Sequence, residues 1–306
     1  LRHPEISAEV HTEALPALFL YGYVPTPQTC YRNIQSLPPG HWMELRVDGR
    51  AQLRSYWDVP LPSAGAAQRV SEADAAARIR ELVTAAVRRR LIADVPLGAF
   101  LSGGLDSSIV VGVMSQFMQE PVRTFSIGFA GDRRFDETSY ARLASERFKT
   151  RHTEFMVEPS AAGLIEQLVW QYDGPFADSS AIPTYLLSRL TREHVTVALS
   201  GDGGDELFAG YLRLYAAVAC ERVPSWARRA AAATLTRLPE WGGHRSWFRY
   251  AQKFAGSAAL PFRQRFSRWI SVFYEDLPLL MPGLAGAGNG HPPAGLALQD
   301  AYWQQC

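Results

Sequence analysis

Residues 100–109 read Phe100-Leu-Ser-Gly-Gly-Leu-Asp-Ser-Ser-Ile109. An apolar run, Leu97 to Leu101, ends there, two glycines turn the chain, and a helical pattern begins over roughly 106–118. Glycines allow positive φ and let backbone approach a ligand closely. The helix start that follows offers unpaired N–H groups and the positive end of the helix dipole. Ser102, Ser107 and Ser108 add hydroxyls, so the segment reads as an anion-binding turn suited to phosphate. Asp106 is the odd member, because a carboxylate beside phosphates repels them. It fits as a ligand for Mg²⁺ that arrives with the phosphates. The Lys-Ser/Thr ending of a Walker loop is absent, and the glycine spacing is not that of the dinucleotide fingerprint. The alternative is an ordinary strand–helix turn with Asp106 as a helix-start carboxylate.

Outward from this turn, β and α signals alternate. Ser71 with Asp74 resembles a capping box opening a helix, in which Ile79, Leu82, Val83, Ala86, Val87 and Leu91 recur at the helical period. Val122 to Gly128 reads as a strand, 137–148 as a helix and His152 to Val157 as a strand. Helices are expected near 160–172 and 181–193. Val195 to Leu199 reads as a buried-type strand, with a helix beginning near Asp205. This order predicts an α/β fold, a doubly wound, mostly parallel sheet with helices on both faces. Ligands of such sheets bind at the carboxyl ends of the strands.

A second glycine turn leaves such an end, Ser200-Gly-Asp-Gly-Gly-Asp-Glu206. Asp202, Asp205 and Glu206 would repel one another without a cation. A metal shared with Asp106 is one explanation, and a solvated acidic turn with Asp205 capping a helix is the other.

The first 60 residues differ in style. Pro25, Pro27, Pro38, Pro39 and Gly40 punctuate short apolar stretches. Asp48-Gly49 between two alternating runs, 41–47 and 50–57, predicts a β-hairpin. Residues 60–70 are rich in Pro, Ala, Gly and Ser and read as a linker. We therefore expect a β-containing piece over 1–70 and the nucleotide domain over 71–306. After about residue 220 the chain reads as helices rich in Trp, Arg and Ala, then a Gly/Pro-rich loop at 282–295. The absence of an initial Met, and a helical pattern broken off at Cys306, suggest a fragment.

Composition excludes several classes. With 31 Lys+Arg against 30 Asp+Glu, there is no basic excess to suggest a nucleic-acid partner or an anionic membrane. Cys30, Cys220 and Cys306 are scattered and odd in number, which suits free thiols in a reducing compartment, with the cytoplasm as default. No run reaches membrane-spanning length. The seven His show no metal-ligand spacing, and His41 and His152 are expected at structural or surface positions. There is no Gly-x-Ser-x-Gly elbow for a serine hydrolase.

The turn at Ser102–Ser107 matches the pyrophosphate loop (Ser-Gly-Gly-x-Asp-Ser) of the ATP pyrophosphatase superfamily. With the strand Thr124-Phe-Ser-Ile-Gly-Phe129 and the loop Leu199-Ser-Gly-Asp-Gly-Gly-Asp-Glu-Leu-Phe-Ala-Gly-Tyr211, in this order, the sequence resembles class B, glutamine-hydrolysing asparagine synthetases. Asp136-Glu137 before Tyr140-Ala-Arg-Leu-Ala, and Ala181-Ile-Pro-Thr-Tyr-Leu, also look like that family. The resemblance is strong over about 70–215 and loose over 220–306. Leu37-Pro-Pro-Gly-His and the hairpin look like the end of its N-terminal glutaminase domain.

The resemblance implies an adenine nucleotide alpha hydrolase-like fold and ATP with Mg²⁺ as cofactors. Ser102, Gly103, Gly104, Asp106, Ser107 and Ser108 would hold the β- and γ-phosphates. Phe100, Leu101 and Ile127 would line the adenosine, and Ser200 and Gly201 would touch the nucleotide. Asp106 and Asp205 would bind the metal. Asp202 falls where some members carry a catalytic Glu, one methylene longer. The family also places a Lys downstream, expected beyond the end of this chain. The implied reaction converts aspartate to β-aspartyl-AMP with release of pyrophosphate. Ammonia, normally from glutamine hydrolysed in the N-terminal domain, then gives asparagine and AMP. Lacking an N-terminal cysteine, this chain is expected not to hydrolyse glutamine. Two alternatives stay open: a related enzyme activating another carboxylate, such as a β-lactam or peptide precursor, and a nucleotide-binding fragment without turnover.

Overall fold

The computed structural model describes residues 3–60, 70–129, 136–157, 162–235, 247–274 and 276–282. The expected linker at 61–69 and the Gly/Pro-rich stretch from 283 onward lie outside the described residues.

In chain order, helix α1 (Leu15–Tyr21) and the hairpin of β1 (His41–Leu45) and β2 (Ala51–Ser55) come first. The main alternation follows: α2 (Glu72–Arg89), β3 (Leu97–Phe100), α3 (Leu105–Phe117), β4 (Arg123–Phe129), α4 (Thr138–Phe148) and β5 (Arg151–Val157). Then come α5 (Ile165–Gln171), α6 (Ala181–Thr191), β6 (Val197–Leu199) and α7 (Gly204–Phe208). Helices α8 (Leu212–Glu221), α9 (Ser225–Leu235), α10 (Trp247–Ala258), α11 (Phe262–Ile270) and α12 (Leu277–Leu280) end the described chain. Among the described residues no helix is long and apolar enough to cross a membrane.

The chain divides into two compact units. One comprises residues 68–170 and 178–211 and holds a four-stranded, all-parallel sheet of order β5-β4-β3-β6. Travelling from β3 through β4 to β5, the chain moves one way across the sheet. It then returns past β3 to lay down β6 on the far side. With the right-handed crossovers that parallel strands follow, this order places α3 and α4 on one face and the returning α6 on the other, the expected doubly wound arrangement. Val87 of α2, Ala99 of β3, Leu101, Val111 and Met114 of α3, Val122 and Ala141 of α4 form its core. Ser71 caps α2, its hydroxyl accepting from the Asp74 amide at 3.1 Å.

One expectation needs correction. The strand near 195–199 is not buried: β6 pairs on one side only among the described residues and Val197 is 40% exposed, so it is an edge strand there. Val195, just before it, is buried, and Leu199 is half-buried against the core. The helical stretch expected near 160–172 is a 3₁₀ turn (Ala162–Leu164) continuing into α5, with 160–161 outside the described residues.

The second unit comprises residues 1–67, 171–177 and 212–306. The hairpin pairs His41 with Ser55 through Leu45 with Ala51, with the turn at Asp48-Gly49 as expected. Leu20 of α1 and Leu277 of α12 are fully buried against each other. Arg265 of α11, fully buried, is held by Glu221 of α8, which also receives Arg228 at 3.3 Å. Cys30 and Cys220 are free thiols, and burial pushes the Cys30 thiol up.

The core contact is expected to outweigh the cap. Met114→Ala should destabilise the sheet unit by about 2–5 kcal/mol, and Ser71→Ala by about 1 kcal/mol. Urea unfolding followed by circular dichroism checks both.

Candidate active site

The sheet's order reverses between β3 and β6, and the two glycine turns leave from the carboxyl ends of these strands. Neighbouring strand ends whose chains depart to opposite faces leave a crevice between them. Here that crevice is a cleft of about 630 Å³, wholly within the sheet unit.

The first turn is built from its own side chains. Gly103 has φ +80°, and a Cβ there would come within 2.5 Å of the Ala141 amide nitrogen of α4. Ser102 Oγ accepts from the Gly104 amide at 3.2 Å and lies 3.1 Å from Ser107 Oγ. These bonds hold the turn open at the start of α3.

The second turn rests directly on the first. A Cβ on Gly201 would fall 2.6 Å from the Ser107 backbone nitrogen, and one on Gly204 2.6 Å from Asp106 Oδ1. Glycine at both positions is therefore a condition of the two loops meeting. Ser200 Oγ donates to Asp202 Oδ2 at 3.1 Å, fixing that carboxylate at the turn. Asp205 begins α7, and its Oδ1 occupies the space a Cβ on Gly210 would need.

Of the residues singled out from the sequence, Phe100, Leu101, Ser102, Gly104, Asp106 and Ser107 line the cleft from the β3 side. Ile127, Ser200, Gly201, Asp202 and Asp205 line it from β4 and the second turn. Gly103 and Ser108 do not. Gly103 lies beneath the turn against α4, and the Ser108 amide donates to Gly104 O at 3.1 Å.

Strand β4 outruns β3. Their pairing ends at Phe100 and Phe125, where the Leu101 amide donates to Phe125 O at 2.8 Å. β4 continues to Phe129, paired with β5 throughout. Backbone groups alternate sides along a parallel ladder. The N–H and C=O of Ile127 thus point the same way as those of Phe125, into the space where β3 has ended.

The electrostatics of the cleft are one-sided. Asp106, Glu137, Asp178, Asp202, Asp205 and Glu206 all line it, and among the described residues no Lys, Arg or His side chain does. From the described residues an anionic ligand has backbone N–H groups and hydroxyls to meet it, unless a cation comes along. Among the described residues no group of three or more His, Cys, Asp or Glu is arranged to hold a metal ion alone. A hard cation that keeps waters and phosphate oxygens, and takes one or two carboxylates from the protein, suits such a site.

A larger cleft, about 1140 Å³, lies in the other unit. It is lined by helix side chains such as Ala216, Ala231, Leu235 and Trp269, and neither glycine turn contributes to it.

A family model described as asparagine synthase matches residues 78–283, more than half of the chain. The chain belongs to the asparagine synthase family. A model described as a glutamine amidotransferase domain matches residues 1–57. A provisionally named glutamine-hydrolyzing asparagine synthetase of Methanocaldococcus jannaschii is 40% identical over 209 residues, covering 66% of this chain and 39% of the relative. A glutamine-hydrolyzing asparagine synthetase of Bacillus subtilis is 31% identical over 237 residues, covering 76% and 36%. A Penicillium rubens protein named an amidase is 28% identical over 214 residues, covering 65% and 32%. The chain thus spans about two fifths or less of the length of these relatives.

Sequence reasoning gave no role to several lining residues of this asparagine synthase family cleft. Glu137 enters from the start of α4, Thr184 and Leu187 from α6, Ser126 from β4, and Tyr211 from beyond α7. The Tyr211 hydroxyl donates to Glu206 Oε1. Asp178, unlike these, lies in the stretch 178–183 that the sequence places near the acceptor carboxylate; it reaches the wall while accepting from the Ser180 amide at 2.7 Å, ahead of α6. Only Ser126 carried a local signal, as an alternate polar position with Thr124 on an otherwise apolar strand.

The contact between the turns sets an expectation. Gly201→Ala meets backbone that has little room to move and should cost about 1–3 kcal/mol. Gly204→Ala meets the rotatable end of Asp106 and should cost less than Gly201→Ala. Thermal unfolding of the two variants, side by side, checks the order.

Proposed function

We propose that this cleft binds ATP with magnesium and activates a carboxylate by adenylylation, as the synthetase part of a glutamine-dependent asparagine synthetase. The observation that carries the reading is the meeting of two glycine turns at the sheet's reversal point, in a cleft rich in carboxylates and, among the described residues, without basic side chains. Backbone amides at the start of α3, with Ser102 and Ser107, would receive the phosphates. Asp106 and Asp205 would hold Mg²⁺, which supplies positive charge among the carboxylates and favours the leaving pyrophosphate. The N–H and C=O of Ile127, which pair with no strand on the β3 side among the described residues, match the acceptor and donor on the edge of adenine, with Phe100 and Leu101 beside it. Ser200 and Gly201 would close on the nucleotide from the second turn.

In the proposed reaction a β-carboxylate oxygen of aspartate bonds to the α-phosphorus of ATP. The α–β anhydride bond breaks and pyrophosphate leaves. The nitrogen of ammonia then bonds to the acyl carbon, and the acyl–phosphate bond breaks to give asparagine and AMP, with the surplus proton passing to solvent or a carboxylate. Asp202, held by Ser200, is the residue assigned to the acyl-adenylate step. The wall from Asp178 to Pro183 would receive the acceptor. The match of residues 1–57 to a glutamine amidotransferase domain supports glutamine as the ammonia source, delivered by a glutaminase domain with residues 1–70 as its end and 71–306 as the synthetase. The amidase-named relative supports a second reading, in which the same chemistry serves a different carboxylate.

Asp106→Asn and Asp205→Asn should each weaken ATP binding by about tenfold, ~1.4 kcal/mol, in the presence of Mg²⁺, and should not weaken it in the absence of metal, where the carboxylates repel the phosphates. Isothermal titration calorimetry measures this. Wild-type affinity in both variants would remove the metal assignment. Pyrophosphate release by the whole protein, stimulated by aspartate rather than by other amino acids, separates the two readings of the acceptor.

A further inference from the structure

On the α4 face of the sheet, under the cleft, a line of hydroxyls runs between β4, β5 and α4. Its end at α4 fixes the direction of every bond in it. Thr150 Oγ1 donates to Ser145 Oγ at 2.9 Å, which uses the one proton Thr150 has. In the 2.8 Å pair of Thr124 with Thr150, Thr124 must then be the donor. Thr124 therefore has no proton left for His152 Nδ1, 2.9 Å away, so the imidazole donates to it. Neutral imidazole carries one N–H. With that proton on Nδ1, Nε2 is an acceptor, and the Ser126 hydroxyl, 3.1 Å from it, donates inward. Ser126 also lines the cleft. What it offers there is lone pairs and no proton.

We propose that His152 is a positioning residue that fixes Ser126 as a hydrogen-bond acceptor on the cleft wall, facing a donor group of the nucleoside. The proposal rests on the nucleotide reading above. ATP has two kinds of donor in its nucleoside part, the exocyclic amino group and the ribose hydroxyls, and Ser126 selects for one of them.

Protonation of His152 reverses the arrangement. A second N–H, on Nε2, makes Ser126 the acceptor of that bond and turns its own O–H toward the cleft. A donor then meets the nucleoside's donor. The charged groups around the ring are Glu154 of β5, whose Oε1 lies 3.8 Å from Nε2, and Arg142 of α4, which clasps Glu154 at 2.7 and 3.1 Å with Asp136 nearby. The β4 and α4 side chains bonded to the ring or its chain are hydroxyls. Burial lowers the His152 pKa and outweighs Glu154 and the Thr124 backbone, which raise it, while Arg142 lowers it further. The neutral, accepting arrangement thus holds at neutral pH and is lost only below the ordinary imidazole range.

Two measurements test this. Long-range ¹H–¹⁵N correlation on the folded chain reads the neutral tautomer of His152 without any ligand. The expected result is a proton on Nδ1, and a proton on Nε2 overturns the proposal. The second measures binding of ATP, inosine triphosphate and 2′- and 3′-deoxy-ATP to wild type, Ser126→Ala and His152→Gln, at about pH 7.5 and about pH 5.5. Ser126→Ala should weaken ATP about tenfold and leave unchanged the analogue that lacks the selected donor, which identifies that donor. His152→Gln, which keeps an acceptor and cannot titrate, should bind ATP as wild type does near neutrality. At the lower pH wild type should fall behind it. Wild-type binding of ATP with no change in Ser126→Ala overturns this proposal alone. No binding of ATP by wild type overturns the nucleotide reading, and this one with it.

Discussion

The structure depends on one close approach of backbone to backbone. Gly201 lies over the amide of Ser107, at the start of α3, with no room for a Cβ between them. That contact joins the end of β6 to the end of β3, two strands whose chains leave in opposite directions. It is what turns two separate loops into one cleft. Gly204 then lies against the carboxylate of Asp106, so the same contact fixes where an acidic side chain sits relative to the helix start. A helix N-terminus attracts anions and Asp106 repels them. The arrangement makes sense for a ligand that carries both signs of charge, as magnesium-bound triphosphate does. The six lining carboxylates, with no lining basic residue among the described residues, extend this argument beyond one side chain.

Much of this was legible in the sequence because it is local. The Ser71 cap, the Asp48-Gly49 hairpin turn and the Ser-Gly-Gly-Leu-Asp turn are short-range patterns, and each lies in the structure where the sequence puts it. The alternation of β and α signals sufficed for a parallel, doubly wound sheet. The strand order did not follow from it. That β6 returns beside β3, rather than extending the sheet past β5, is a tertiary fact, and it is also what brings the two turns together. The misjudged burial of β6 has the same root: Val195-Thr-Val-Ala-Leu has the composition of a central strand, but among the described residues a single neighbour pairs with it.

The cleft residues that escaped sequence reasoning come from elements whose local patterns say something else. Thr184 and Leu187 read as ordinary positions of an amphipathic helix, and Glu137 as a helix-start acid. Their place on the wall depends on how α6 and α4 lie across the sheet. His152 was expected in a structural or surface position, and its side chain is 9% exposed. Its importance lies in the polarity it imposes on Ser126. That follows from the direction of proton donation from Ser145 through Thr150 and Thr124, which no single position reveals.

The central claim is that a metal-bound nucleotide sits between the two glycine turns. X-ray diffraction from crystals of the chain with Mn²⁺ and a non-hydrolysable ATP analogue, recorded at the manganese edge, tests it most directly. The expected result is an anomalous peak bridging phosphate oxygens and the carboxylates of Asp106 and Asp205, with the phosphates over the start of α3. Nucleotide bound elsewhere, or manganese bound away from both carboxylates, would contradict the account.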